Sequence, residues 1–110
     1  NMSERLYNEK CIYTITTAEK LEESERETLD TGYSRTVGFF HDFADAELAV
    51  MENDCDINET IYKYAIIEEV YPGLYPRGAK RFYKFNCKED RYEPIAKPDC
   101  VSDYDVFSIG

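Results

Sequence analysis

The sequence predicts a two-layer α+β domain. One helix packs on a four- to five-stranded, mostly antiparallel sheet in the order β-β-α-β-β-β. Three observations carry this. Residues 61–71 (I-Y-K-Y-A-I-I-E-E-V-Y) form the longest near-continuous apolar run, rich in β-branched and aromatic residues and stopped by Pro72-Gly73. Tyr62, Tyr64, Ile66 and Val70 fall on one side of such a strand and Ile61, Ala65, Ile67 and Tyr71 on the other, which places it centrally in a sheet. Finally, Asp42 heads the segment with the clearest helical apolar stripe, and the other apolar runs are short, strand-like and bounded by turn residues.

Taken in order, residues 1–9 are polar and expected to fray, with Asn1 ahead of Met2 reading as a cloning remnant; a single domain is expected over 10–110. Residues 10–17 (K-C-I-Y-T-I-T-T) alternate as a first strand with Cys11, Tyr13 and Ile15 inward. Residues 18–31 carry six acids and two bases. Leu21 and Leu29, eight apart, give a weak helical stripe, while Thr28, Thr31 and Gly32 punctuate the end. A loop with helical turns available to it is expected there.

Residues 33–41 (Y-S-R-T-V-G-F-F-H) read as the second strand, where Gly38 signals a bulge or a close backbone approach. Asp42 caps a helix over 43–53, with Asp45 and Glu47 favoured by the dipole of its first turns. Phe43, Ala46, Ala49 and Val50 line its inner face, broadened by Leu48 and Met51, and Asn53 ends it. Residues 54–60 are an acidic linker with room for one helical turn. After the central strand, 72–79 (P-G-L-Y-P-R-G-A) is a structured turn whose Leu74 and Tyr75 are expected to tuck onto the sheet edge. Residues 80–87 form a fourth strand, 88–90 a turn, and 91–95 a short fifth strand that Pro94 assigns to an edge. The tail ends in an apolar V-F-S-I that is expected to dock on the core.

Composition narrows the function. Of 110 residues 43% are hydrophobic, enough for one core despite 33% charge. With 23 acids against 13 bases the net charge is −10, which disfavours direct binding of nucleic acid or of anionic membranes and favours a basic protein partner, or simply keeps the chain in solution. Cys11, Cys55, Cys87 and Cys100 form no C-x-x-C pair, so neither a metal nor another cofactor is expected, and reduced thiols point to the cytoplasm. No secretory signal or membrane-length apolar run is seen in the sequence.

No catalytic constellation emerges. Asp54-x-Asp56-x-Asn58 opens like a calcium loop, but Glu59 stands where the turn needs glycine and Ala65 where a bidentate glutamate should close the shell. His41 beside Asp42 has no serine or cysteine placed by sequence to be activated, and reads as a strand-end residue. Cys87 alone among the thiols has cations nearby, in Lys84, Lys88 and Arg91, and a buried role is the commoner one. Glu68 and Glu69 alternate faces and read as strand-edge charges, not as an acid/base pair.

The one basic patch, 77–81 (R-G-A-K-R), runs into Phe82, Tyr83 and Phe85 beside the Pro/Gly turn. Such a mixture either balances Glu68 and Glu69 across the sheet or grips single-stranded nucleic acid or a nucleotide. Candidate ligand- or partner-binding residues are therefore Arg77, Lys80, Arg81, Tyr83, Tyr75 and His41.

Several segments together resemble a family of short uncharacterised proteins of gut bacteria and their mobile elements. They are R-T-V-G-F-F (35–40), N-D-C-D-I-N-E (53–59), Y-A-I-I-E-E (64–69), G-L-Y-P (73–76), F-Y-K-F (82–85) and the terminal F-S-I-G. Phe82 and Phe85 stand where the resemblance suggests a tryptophan, which leaves aromatic packing intact. The resemblance implies a single domain ending at Gly110 and brings no activity, cofactor or catalytic residue.

The expectation is a small acidic non-enzymatic interaction module of a bacterium or its mobile element, whose aromatic surface serves a partner or a homodimer. An acidic decoy of a nucleic-acid-binding protein, and a small-ligand or nucleotide site at 77–85, are the alternatives.

Overall fold

The computed structural model describes residues 11–109. The expectations for 1–9, for Lys10 at the start of the first strand and for Gly110 at the end of the domain lie outside the described residues. The strands are β1 (Ile12–Ala18), β2 (Glu22–Glu23), β3 (Leu29–Asp30), β4 (Ser34–Phe40), β5 (Tyr64–Val70), β6 (Lys80–Asn86) and β7 (Arg91–Ile95), with one helix, α1 (Phe43–Met51), between β4 and β5. Five strands form one antiparallel sheet in the order β4-β1-β5-β6-β7, and β2 and β3 form a separate two-stranded ribbon. The fold is α+β, with β5 at the centre as its two apolar faces require.

Alternation along β5 divides the core into two. Ala65 and Ile67 face the helix side, where Ile15, Tyr83 and Tyr92 meet Ala46, Ala49 and Val50 of α1. Ile66 faces the other side, where Phe82 and Ala18 meet Leu21 and the tail residue Val101. Small residues at 46 and 49 let α1 lie close to the sheet, and full burial of Val50 contributes about 1.5–3 kcal/mol. Asp42 caps the helix as expected, its carboxylate accepting the Ala44 N–H at 2.8 Å. The Tyr83 hydroxyl donates to the Glu47 carboxylate, tying α1 to β6.

The tail docks on the face opposite the helix. The Phe107 ring meets Phe82 edge-on at 5.9 Å, and the Thr14 hydroxyl donates to Ser108 at 3.0 Å. The Cys100 thiol donates to the Leu21 carbonyl at 3.3 Å, joining the tail to the root of the ribbon.

Four expectations are corrected. Residues 18–31 form no helical turn but continue the β1–β4 hairpin outward, the Glu19 and Lys20 N–H groups bonding the carbonyls of Tyr33 and Thr31. Leu48 is exposed, because at about 100° per residue it lies about 200° around the helix from both Ala46 and Val50. Leu74 and Tyr75 are 91% and 83% exposed and do not tuck in. Tyr75 takes a left-handed backbone (φ 49°), while Arg77, packed over the Tyr104 ring, and Gly78, against the Glu69 carbonyl, hold the turn instead. Glu68 is no strand-edge charge. It is 4% exposed, since it shares Ile66's face and the tail covers that face. One of its oxygens accepts the Phe107 N–H at 3.0 Å.

Candidate functional site

The sheet has two outer edges, and they differ in kind. An unpaired edge offers a row of backbone donors and acceptors to any passing strand, so folded proteins shorten, charge or interrupt such edges. β7 follows that rule. It has five residues, Pro94 supplies no N–H, and Glu93 puts a carboxylate on the strand, where it accepts from the Asn86 amide at 3.1 Å. Tyr92 anchors it from within, fully buried, its hydroxyl donating to the Tyr62 carbonyl at 2.7 Å and its ring packed on Phe85 at 5.0 Å.

β4 follows it only through one bulge and one arginine. Seven residues long, it pairs with β1 alone among the described residues. Tyr33, just before it, is 73% exposed and Phe39 57%, and Phe40 is exposed on the opposite face. The backbone partner of Ile15 is Gly38 and that of Thr16 is Thr36, which leaves Val37 as the extra residue of a bulge beside the glycine that signalled one. Val37 turns into the helix-side core and fixes the strand, so the exposed rings stand on an ordered frame. The only charge on β4 is Arg35, whose pair with Glu59 (3.2 Å) is exposed and contributes little. Indeed no Asp or Glu occurs from 31 to 41, eleven residues in a chain of −10.

The residues singled out at sequence level are not brought into one pocket. Arg77 lies 4.9 Å from the ring centre of Tyr104 on the tail. Lys80 faces the tail side, in a pocket of about 280 Å³ with Phe82, Lys97, Ser102 and Asp103. Arg81 faces the helix side, 5.3 Å over the Phe43 ring. Tyr83 is buried and engaged by Glu47, and burial followed by that hydrogen bond pushes its hydroxyl well above the usual phenol range. Tyr75 points into solvent. His41 stands edge-on to Phe39 at 5.9 Å, which makes it part of the β4 edge. Strand alternation explains the scatter, since consecutive residues of β6 must point to opposite faces.

Sequence reasoning missed Tyr33, Phe39 and Phe40 as a surface. The available signal is an acid-free aromatic run, and a run of this kind reads equally as an ordinary strand with its rings in the core. Among the described residues no group of three His, Cys, Asp or Glu is placed to hold a metal ion, and no helix is long and apolar enough to cross a membrane. No family model, curated protein or solved structure matches the chain.

Proposed function

We propose that the protein is a small non-enzymatic interaction module that works by strand addition at the outer edge of β4, its occupant being β4 of a second copy. The carrying observation is the contrast of edges, one guarded by proline and glutamate, the other lined with exposed aromatic rings on an ordered strand. Three features support self-pairing. The two strands match in length, and both bring rings whose burial is worth about 1.5–3 kcal/mol each when complete. The stretch 31–41 also brings no carboxylate of its own to a contact between two chains of −10, and Arg35 answers the Glu59 beside it. That last feature favours strand addition over the acidic-decoy reading, which would use the carboxylates themselves as the contact. The resemblance carried by residues 35–40 and 64–69, among others, supports an origin in a bacterium or its mobile element, and four cysteines without a paired motif support the cytoplasm.

Backbone amide exchange tests the reading, because a strand edge slows its exchange only when something pairs with it. Protection along Ser34–Phe40 is expected to rise with protein concentration while that of β7 stays constant. Exchange along β4 that is independent of concentration would contradict self-pairing.

A further inference from the structure

Next to the first turn of α1 lies a second feature, which meets β4 only through Tyr13, the register partner of Phe40. Tyr13 of β1, Ile67 and Glu69 of β5, Ala79 and Arg81 at the start of β6, and Phe43 of α1 line a pocket of about 150 Å³. The register accounts for it. In one row Tyr13 pairs with Glu69, whose N–H bonds the Ala79 carbonyl at 2.9 Å; in the next, Ile15, Ile67 and Arg81 stand side by side. A methyl group at position 79 leaves open the space between Glu69 and Arg81. Gly78 keeps the strands this close, since a Cβ there would lie 2.2 Å from the Glu69 carbonyl oxygen.

The lining has a definite chemistry. Tyr13 and Phe43 meet edge-on at 5.7 Å and form an aromatic wall that the Arg81 guanidinium joins. Ile67 is the apolar floor. Among the described residues neither Glu69 nor Arg81 makes an ion pair; a carboxylate that hydrogen-bonds the Tyr71 hydroxyl and an exposed guanidinium line one pocket. The Tyr13 hydroxyl, pushed up to about 12 chiefly by hydrogen bonding to Cys11, then by burial and neighbouring charge, is engaged outside the pocket, so Tyr13 contributes its ring.

We infer that this pocket binds a free α-amino acid with a short aliphatic side chain, its ammonium on Glu69, its carboxylate on Arg81 and its side chain against Ile67 and Phe43. Size and charge both select this class. The space of about 150 Å³ is small and partly open to solvent. It lies well under the roughly 300–1,000 Å³ of sites for larger ligands, which is too small for a nucleotide. A ligand with one charge satisfies one of the two facing groups and leaves the other without a charged partner, whereas a zwitterion satisfies both.

The test is a titration followed by amide proton–nitrogen spectra, with L-valine as probe and propionate and propylamine as analogues carrying one charge each. Millimolar L-valine is expected to shift the amides of Ile67, Ala79 and Arg81 saturably, with each analogue binding roughly tenfold more weakly. Ala79→Leu, which fills the space, should abolish the shifts. Arg81→Gln, at an exposed position that leaves the fold intact, should weaken L-valine roughly tenfold even if Ala79→Leu fails to fold. Shifts that do not saturate, that match those of propionate, or that persist in both variants would overturn the inference. None of these outcomes depends on whether β4 self-pairs.

Discussion

β4 and β7 both close the sheet, yet one presents phenylalanine to water where the other presents proline and glutamate. The difference extends inward. β7 is held by a fully buried tyrosine with its hydroxyl satisfied, whereas β4 is held chiefly by its ladder to β1 and by Val37. Aromatic residues thus do two kinds of work in one sheet. At β7 they stabilise the fold; at β4 they stand exposed. The comparison teaches that the identity of an edge residue matters less than which way its ring is spent, and substitution can separate the two uses.

The largest effect is expected at Tyr92. Tyr92→Ala empties a buried site, leaves the Tyr62 carbonyl without its donor, and should cost about 3–5 kcal/mol in denaturant unfolding. The corresponding loss of a ring at β4, Phe39→Ala, should cost less than about 1 kcal/mol, as exposed substitutions do. Equal losses at the two sites would dissolve the comparison.

Alkaline pH sharpens it next. Burial holds the Tyr83 and Tyr92 hydroxyls above the ordinary phenol value of 10.0, helped by the hydrogen bond to Glu47 at Tyr83 and by the charge of Glu59 at Tyr92. Above that value the unfolded chain gives up these protons while the folded chain keeps them. The stabilisation is therefore complete below about pH 10 and is lost as pH climbs further. Unfolding midpoints should fall steeply there, and less steeply in Tyr92→Phe.

A smaller but more pointed change is to make the edges alike. Replacing Glu93 and Pro94 together by valine removes the guard from β7 without touching its buried anchor. Assemblies larger than a dimer should then appear by sedimentation, because a second edge has become available. A doubly substituted protein of unchanged size would show that the guard residues are not what keeps β7 unpaired.

Much of the fold was legible because its signals are local. Asp42 with the stripe that follows, the two-faced run of β5, and Pro72-Gly73 each specify an element from a few neighbouring residues. What was not legible depends on distant neighbours. Leu21 and Leu29 have helical spacing, yet they reach the same tail-side cluster from opposite arms of a hairpin, so two unrelated geometries satisfy one spacing. Glu68 reads as a surface charge until the tail, some forty residues later, is laid over it. Residues 35–40 read correctly as strand, but strand order decides whether Phe39 meets a neighbour or water, and strand order is not written in any window of the sequence. The basic patch 77–81 failed as a single site for a simpler reason: alternation sends Lys80 and Arg81 to opposite faces.

Static light scattering of the unsubstituted protein beside Phe39→Lys, each at low and high salt, tests the central claim most directly. Self-pairing at β4 predicts twice the monomer mass for the former, with the dimer strengthened as salt screens the repulsion between two chains of −10. It predicts a monomer for Phe39→Lys, with little change in unfolding. A monomer at every concentration and salt for the unsubstituted protein, or a dimer that survives Phe39→Lys unweakened, would contradict it.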